Sequence, residues 1–205
     1  MILGLTGGMA SGKSTVSAML REYGFYVVDA DEEAHAVIEQ PAVICELAAV
    51  FGEDILDETG RISRPALAGK AFASADETAK LNAVVHPAVI ETMHEKAEEF
   101  LLEYPEIPVV FDVPLLFESG MDRLCDAVVT VAADDEVRYL RIMLRDGLTR
   151  TEASRRIARQ MPQDEKIARS DAVINNNGTL TELRRETEKA LALLGLGAFI
   201  REENE

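Results

Sequence analysis

Short apolar runs alternate with helical segments along most of this chain. The apolar runs occupy residues 2–6, 25–29, 108–113, 127–132 and 172–175. Continuous apolar runs of this length are typical of strands that are buried on both faces of a parallel sheet. After the first run, Val16, Met19 and Leu20 recur at the spacing of one helix face. The alternation predicts an α/β fold, with a five-stranded parallel sheet flanked by helices.

A long helical pattern interrupts this alternation between the second and third predicted strands. It covers residues 32–105, and its main helices are expected at 64–72 and 76–102. Pro87 is expected to restart the helix, because proline is well tolerated in a first turn. The segment is longer than a crossover between parallel strands requires. We therefore predict an inserted helical subdomain at 32–105, with the core formed by 1–31, 106–137 and 170–200.

Three further helices are expected in the second half of the chain, at 134–145, 151–160 and 181–194. In the first of them, Asp134 is the expected N-cap, and Val137, Leu140 and Leu144 are expected to face inward. Residues 201–205 are expected to form a frayed tail.

Composition and charge narrow the classes of function. The 205 residues are 47% hydrophobic and 28% charged, which is ordinary for a globular domain, and the net charge of −16 disfavours binding to nucleic acid or anionic membranes. No apolar run reaches the length of a membrane helix. Cys45 and Cys125 are far apart and are expected to be buried, reduced thiols. These features predict a cytoplasmic protein. They do not decide its oligomeric state, for which a monomer or a small homo-oligomer is expected.

A phosphate-binding motif follows the first predicted strand. Residues 7–14 read G-G-M-A-S-G-K-S, which fits G-x-x-x-x-G-K-[ST], and the motif lies between a strand and a helix as it should. Backbone N–H groups of such a loop and the helix N-terminus point at the phosphates of ATP. Lys13 is expected to reach the β and γ phosphates, and the Ser14 hydroxyl to bind Mg²⁺. The predicted ATP contacts are Gly8, Met9, Ala10, Ser11, Gly12, Lys13, Ser14 and Thr15.

Carboxylates follow two other predicted strands. Asp29 and Asp31 follow the second strand, where ligands gather in open α/β sheets. Either carboxylate could accept a proton from an acceptor, hold Mg²⁺ through water, or cap the next helix. Asp112 ends the third strand and is placed like the second magnesium-ordering carboxylate of P-loop enzymes. After it, Leu115, Leu116 and Phe117 could face a ligand or fill the core, and Glu118 could orient a substrate or lie on the surface.

A basic segment stands out in this acidic chain. Residues 138–169 contain nine Arg or Lys and four Asp or Glu, a local net charge of +5. Such a run is often only a solvated helix face. Phosphoryl transfer, however, needs positive charge over the transferred group. We therefore predict a mobile lid at 138–169.

Two smaller features add further candidate site residues. His86 precedes Pro87 and could contact a substrate, although histidines at helix starts are more often caps or surface groups. Residues 175–178, N-N-N-G, form a predicted turn after the last strand. In a P-loop kinase this turn lies near the nucleotide base, so Asn176 is a candidate contact to base or ribose.

Taken together, these motifs resemble the dephospho-coenzyme A kinase family from residue 1 to about residue 195. The matching pieces, in family order, are G-L-T-G-G-x-x-S-G-K-S at 4–14, D-A-D at 29–31 with His35 nearby, V-H-P at 85–87, V-P-L-L-F-E at 113–118, R-D-G-L at 145–148, R-I-A-x-Q at 156–160 and D-x-V-I-x-N-x-G at 171–178. There are two departures. Ala10 replaces a frequent glycine, which should be tolerated if φ is negative there, and Asn175 replaces a usually acidic residue.

The resemblance implies ATP- and Mg²⁺-dependent phosphorylation of the ribose 3′-hydroxyl of dephospho-coenzyme A, the last step of coenzyme A synthesis. It also implies a P-loop NTPase core, a helical acceptor-binding subdomain and a lid. Carried over to this chain, Asp31 is the base for the 3′-hydroxyl, and His35 and His86 fall in the acceptor-binding region. Combined with the charge argument, Arg145 and Arg156 become the lid arginines expected to contact phosphates.

Two alternatives remain open from the residues. Another small-molecule P-loop kinase would share the loop and the lid but use a different acceptor. A P-loop switch or adaptor would bind nucleotide and act through a partner. The sequence disfavours a GTPase switch, because the last turn does not contain the N-K-x-D guanine motif.

Overall fold

A computed structural model describes residues 1–200 of the chain. The expectation of a frayed tail at 201–205 lies outside the described residues. The chain divides into two compact units, one formed by Met1–Val28 with Glu99–Glu205 and the other by Asp29–Glu98. In chain order the strands and α-helices are β1 (Ile2–Gly7), α1 (Lys13–Glu22), β2 (Tyr26–Asp29), α2 (Ala30–Val37), α3 (Pro41–Phe51), α4 (Arg64–Ala71), α5 (Ala75–Glu103), β3 (Val109–Asp112), α6 (Leu116–Ser119), β4 (Ala127–Ala132), α7 (Asp135–Asp146), α8 (Arg150–Ile157), α9 (Gln163–Ala168), β5 (Ala172–Asn175) and α10 (Leu180–Leu193).

The five strands form one sheet in the order β2-β3-β1-β4-β5. β1 lies at the centre and pairs in parallel with β3 and β4, and β4 pairs in parallel with β5. The register places Leu5 opposite both Asp112 and Val129, so the carboxyl ends of β1 and β3 meet at one edge. The predicted α/β fold with five parallel strands flanked by helices is confirmed.

The core of the first unit lies between the sheet and helices α1 and α10. Leu3, Leu5, Val129 and Ile174 from the sheet are at most 1% exposed and pack in one cluster with residues of both helices. α10 begins with a capping box, in which the Thr179 hydroxyl and the Glu182 carboxylate each satisfy a backbone N–H group. The same packing holds β1 and α1 rigidly on either side of the loop that joins them.

The second unit is entirely helical apart from its turns and one short bridge. Its buried residues include Leu47, Ile55, Ala71 and Met93, each fully buried. The prediction that Pro87 restarts a helix is wrong, because α5 runs through it without a break for 29 residues. Pro87 and Ala83 are both exposed, so water can satisfy the carbonyl that loses its N–H partner.

The inward face of α7 differs from the prediction. Leu140 and Leu144 are 56% and 86% exposed, whereas Arg138 and Ile142 are 3% and 0% exposed. The prediction for Leu140 and Leu144 is wrong because the helix turns a charged residue, Arg138, toward the interior, and the spacing of apolar residues does not indicate this. Asp134 is the N-cap residue as predicted, but its side chain does not bond to the helix and instead accepts from Asn177 Nδ2 at 2.9 Å.

Both cysteines are free, but neither is fully buried as predicted. Cys45 is exposed and Cys125 is half-buried. Burial, and to a smaller degree the charges of Asp122 and Asp126, raises the pKa of the Cys125 thiol to about 12.

No single helix within residues 1–200 meets the length and hydropathy expected of a membrane span. The pair α2 and α3 passes together by length and composition, with a bend of 78° at the break between them.

Candidate active site

The loop at residues 8–12 joins β1 to α1 and presents the N-terminus of that helix. No acidic residue lies in the first turn of α1, so its positive dipole end is free for an anion. Gly12 has φ of +94°, and a β-carbon there would lie 2.0 Å from Asn176 Nδ2. Only glycine therefore fits this position. The geometry is that of a phosphate cradle, and the triphosphate of ATP fits its donors.

Ala10 adopts a left-handed backbone, with φ of +61°. It is the one non-glycine residue with positive φ among the described residues. The condition under which alanine would be tolerated here, a negative φ, is therefore not met, and alanine is strained where the resembling family often has glycine. The loop closes tightly enough here to impose an unfavourable backbone conformation.

The outward carbonyl groups of the loop are held by side chains from α7 and from the end of β5. Arg138 Nε donates to Met9 O at 3.0 Å, and Arg141 Nη1 donates to Ala10 O at 3.2 Å. Asn176 Nδ2 donates to Ser11 O at 2.7 Å. A loop that turns its N–H groups inward must turn carbonyl groups outward, and these need donors when buried. We call these three residues the outer clamp.

Sequence reasoning missed Arg138 and Arg141 as site residues. They lie three positions apart on α7, on the helix face toward the loop, and this spacing within a basic segment was the available signal. Arg141 Nη2 also donates to Asn176 O at 3.0 Å and to Asn176 Oδ1 at 3.3 Å. Both polar atoms of the Asn176 side chain are thus engaged by protein. The geometry places Asn176 behind the loop and does not support its predicted contact with base or ribose.

Lys13 and Asp112 form an ion pair at the carboxyl edge of the sheet. The Asp112 side chain is 2% exposed and that of Lys13 is 15% exposed, so the pair is largely removed from water. Ser14, in the next position of α1, is exposed. The hydroxyl and carboxylate oxygens of Ser14 and Asp112 are of the kind that Mg²⁺ prefers, and Mg²⁺ usually takes one or two protein ligands beside phosphates and water.

The segment after β3 is mostly structural. Leu116 is fully buried and Phe117 is 6% exposed, so these predicted substrate contacts are core residues, whereas Leu115 is 37% exposed. Glu118 accepts from the backbone N–H of Met161 at 3.0 Å and from Lys166 Nζ at 3.0 Å. Its carboxylate is therefore occupied by protein donors rather than offered to a substrate.

The two predicted lid arginines share one carboxylate. Arg145 Nε donates to Asp146 Oδ1 at 2.7 Å, and Arg156 Nη1 donates to Asp146 Oδ2 at 2.9 Å. Their side chains remain 62% and 47% exposed. The hydrogen bond from Arg145 is the main reason that the pKa of Asp146 lies below its ordinary value. In this structure neither arginine contacts the loop, in contrast to Arg138 and Arg141.

In the second unit, Asp29 and Asp31 have different roles. Asp29 Oδ1 accepts from the backbone N–H of Asp31 at 2.8 Å and of Glu32 at 3.3 Å, so Asp29 is the N-cap of α2. Asp31 and His35 lie one turn apart on α2, and both side chains are exposed. His86 lies inside α5 rather than at a helix start, and burial lowers the pKa of its imidazole.

Comparison with known proteins identifies the family of this chain. A family model described as "CoaE: Dephospho-CoA kinase" matches residues 1–182. A dephospho-CoA kinase of Geobacillus kaustophilus is 48% identical over 187 residues, which are 91% of this chain and 92% of that protein. A dephospho-CoA kinase of Corynebacterium glutamicum is 45% identical over 192 residues, which are 93% and 95% of the two chains.

Two solved structures have a fold similar to that of this chain. The structure of dephospho-CoA kinase from Campylobacter jejuni matches with a TM-score of 0.73 and 26% identity, over 96% of this chain and 98% of the other. Shikimate kinase from Bacteroides thetaiotaomicron matches with a TM-score of 0.54 and 16% identity, over 96% and 99%, which shows a shared fold alone. With the family model over residues 1–182 and relatives of nearly equal length, this chain belongs to the dephospho-CoA kinase family of enzymes.

Proposed function

We propose that the loop between β1 and α1 binds ATP and that its γ-phosphoryl group passes to the ribose 3′-hydroxyl of dephospho-coenzyme A. Family membership identifies the reaction, the final step of coenzyme A synthesis, and as a kinase reaction it uses ATP. The observation that carries the site is the outer clamp on the carbonyls of Met9, Ala10 and Ser11. With those carbonyls held outward, the loop backbone is ordered before the phosphates bind, which reduces the reorganisation that binding requires.

Lys13 and Asp112 have complementary roles in this proposal. The ammonium group of Lys13 neutralises charge that develops on the β and γ phosphates. Ser14 and Asp112 hold Mg²⁺, which when bound would neutralise the β and γ phosphate oxygens and orient them for in-line transfer. Lys13 is paired with Asp112 in this structure, so both groups are already close to the point where the phosphates enter.

Asp31 is the proposed general base for the 3′-hydroxyl. Its carboxylate is exposed, and the neighbouring Asp29 performs the capping role that the sequence left open for both residues. A base that is not needed by the helix backbone is free to accept a proton. His35, on the same face of α2, and His86 are the proposed contacts to the acceptor.

Arg145 and Arg156 are the proposed lid arginines. Both are exposed and both bond to Asp146, which holds them together while leaving donor groups free. A guanidinium group has five donors in a planar fork that suits phosphate. Closure of the lid would let these residues contact the phosphates and exclude water from the transferred group.

The remaining parts of the proposal concern the location, the oligomeric state and the partners of the enzyme. We propose a cytoplasmic enzyme, monomeric or a small homo-oligomer, that does not bind nucleic acid or membranes. The net charge of −16 supports the absence of binding to nucleic acid and anionic membranes, because these repel such a protein.

The test is ADP release from ATP and Mg²⁺ with and without dephospho-coenzyme A, with mass spectrometry of the acceptor. We expect strong stimulation by this acceptor and a product that is heavier by one phosphate. Shikimate and adenosine, supplied as alternative acceptors, should give no comparable stimulation. Stimulation by either of these compounds, or its absence with dephospho-coenzyme A in a protein that binds ATP, would assign the chain a different acceptor.

A further inference from the structure

Both backbone polar groups of Met9 are held by residues from two separate parts of the predicted lid at 138–169. Arg138, near the start of the 138–169 segment, donates from Nε to Met9 O at 3.0 Å. Gln160, which follows α8, accepts from Met9 N at 2.8 Å through Oε1. Met9 lies at the entrance of the loop, between the buried Gly8 and the strained Ala10. Because two separate parts of the lid contact this one residue, the lid is connected to the conformation of the loop.

Arg138 is held firmly in its position. Its side chain is 3% exposed, and Nη1 donates to Asp135 Oδ1 at 3.0 Å. A β-carbon on Gly8 would lie 2.6 Å from Arg138 Nη2, so the guanidinium group packs directly against the loop backbone. Burial of a charged side chain is costly unless it is well bonded. The cost is offset here by the bonds of Arg138 to Asp135 and to the Met9 carbonyl of the phosphate loop.

Gln160 is anchored through its neighbours. The backbone N–H of Met161, the next residue, donates to Glu118 Oε1 at 3.0 Å. Glu118 Oε2 in turn accepts from the fully buried Lys166, whose Nζ also donates to Pro114 O at 2.9 Å. This chain of bonds fixes residues 161–166 of the lid to the segment after β3. The backbone next to Gln160 is therefore held in place, and its side chain can keep Met9 in a fixed position.

We propose that Arg138 and Gln160 are positioning residues that act together on the backbone of Met9 to keep the loop in its phosphate-binding conformation. Arg138 holds the Met9 carbonyl outward, and Gln160 holds the Met9 N–H, which therefore points at Gln160 and leaves the phosphates to other N–H groups of the loop. A loop that is ordered before ATP arrives loses less entropy on binding, so its affinity is higher. This inference rests on the proposed ATP site in the loop.

The experiment measures ATP affinity, the KM for each substrate and the thermal unfolding midpoint in Arg138→Met, Gln160→Met and the double variant. Methionine has a similar length and does not provide the required donor or acceptor groups. Arg138→Lys is the conservative variant, and it also covers the case in which Arg138→Met does not fold. Arg155→Met is the charge control, because Arg155 is exposed on α8 within the same basic segment.

Each single variant should weaken ATP binding about 10-fold, as expected for the loss of a well-formed hydrogen bond to a preorganised site. The KM for dephospho-coenzyme A and the affinity of Arg155→Met should stay close to the original values. The double variant should weaken binding by less than the product of the two single effects, because both residues act on the backbone of Met9. Arg138→Lys should recover part of the affinity.

Three results would overturn the inference: ATP affinity unchanged in both single variants, a lower unfolding midpoint with affinity intact, or single effects that multiply in the double variant. A separate result would show that the proposed ATP site itself is wrong. If Lys13→Met binds ATP as well as the original protein, the nucleotide lies outside the loop, whatever the Met9 variants do.

Discussion

The side-chain nitrogen of Asn176 lies 2.0 Å from the point where a β-carbon on Gly12 would be placed. Gly12→Ala therefore combines a clash with the strain of φ at +94°. Asn176 would have to leave Ser11 O, so we expect loss of ATP binding together with lower stability. Gly24→Ala is the matched control, because Gly24 has φ of +89° with no atom within 4 Å. The control should lose about 1–2 kcal/mol of stability and keep its ATP affinity.

Ala10→Gly should stabilise the protein. Ala10 has φ of +61°, where a β-carbon costs about 1–2 kcal/mol and glycine does not carry this cost. The greater freedom of glycine in the unfolded chain offsets about half of this gain, so a net increase of about 0.5–1 kcal/mol in the free energy of unfolding is expected. Urea unfolding measures it. Ala18→Gly, on the exposed face of α1, should instead lose about 1 kcal/mol; equal losses at both positions would show that Ala10 is not strained.

Asp29 and Asp31 should separate stability from catalysis. Asp29→Ala removes the N-cap of α2 and should lower the free energy of unfolding by about 1 kcal/mol. Asp31→Asn keeps the cap and removes the proposed base, so kcat should fall about 10²-fold or more while ATP affinity stays the same. Calorimetry and steady-state rates on the two variants give the comparison. A normal kcat in Asp31→Asn would assign the base to another residue.

Lys13 and Asp112 should be coupled in stability but not in activity. Lys13→Met leaves a 2%-exposed carboxylate without its cation, which typically costs about 3–5 kcal/mol. The double variant Lys13→Met/Asp112→Asn removes this buried charge and should recover most of the stability. Phosphoryl transfer should be absent in both variants, since Lys13 is needed at the phosphates. Recovery of activity in the double variant would contradict the role given to Lys13.

The lid arginines should affect turnover more than stability. Arg145→Met and Arg156→Met remove exposed groups whose ion pairs contribute little to folding. Unfolding midpoints should stay within experimental error, while kcat should fall because the arginines are proposed to contact the phosphates after closure. Arg141→Met, which removes donors to Ala10 O and Asn176, should lower both quantities. If kcat is unchanged in both lid variants, neither Arg145 nor Arg156 contacts the phosphates during turnover.

The elements that the sequence predicted well are those whose signal is local. β4 and β5 agree residue for residue with the predicted runs, because buried parallel strands are continuous apolar stretches. α1 also agrees, because the glycine-rich loop fixes where its helix begins. The phosphate loop needed no tertiary information, since its chemistry depends on consecutive residues.

The elements that the sequence predicted poorly depend on what lies opposite them in space. In α7, Leu140 and Leu144 follow the apolar spacing, but the neighbouring loop has carbonyl groups that need donors, so Arg138 faces inward instead. Glu118 was a candidate for orienting the substrate, and only the fold shows that Lys166 is buried beside it. Polar groups that satisfy one another across 40 or more residues leave no periodic trace in the sequence.

The contrast between the two thiols gives this chain a natural site for a spectroscopic label. Because the pKa of Cys125 is about 12, almost none of that thiol is in the reactive thiolate form at neutral pH. Cys45 is exposed on α3, away from the phosphate loop in sequence and in the other compact unit. A maleimide dye should thus attach at one position without mutagenesis, and its fluorescence would report on the helical unit while the catalytic residues stay unmodified.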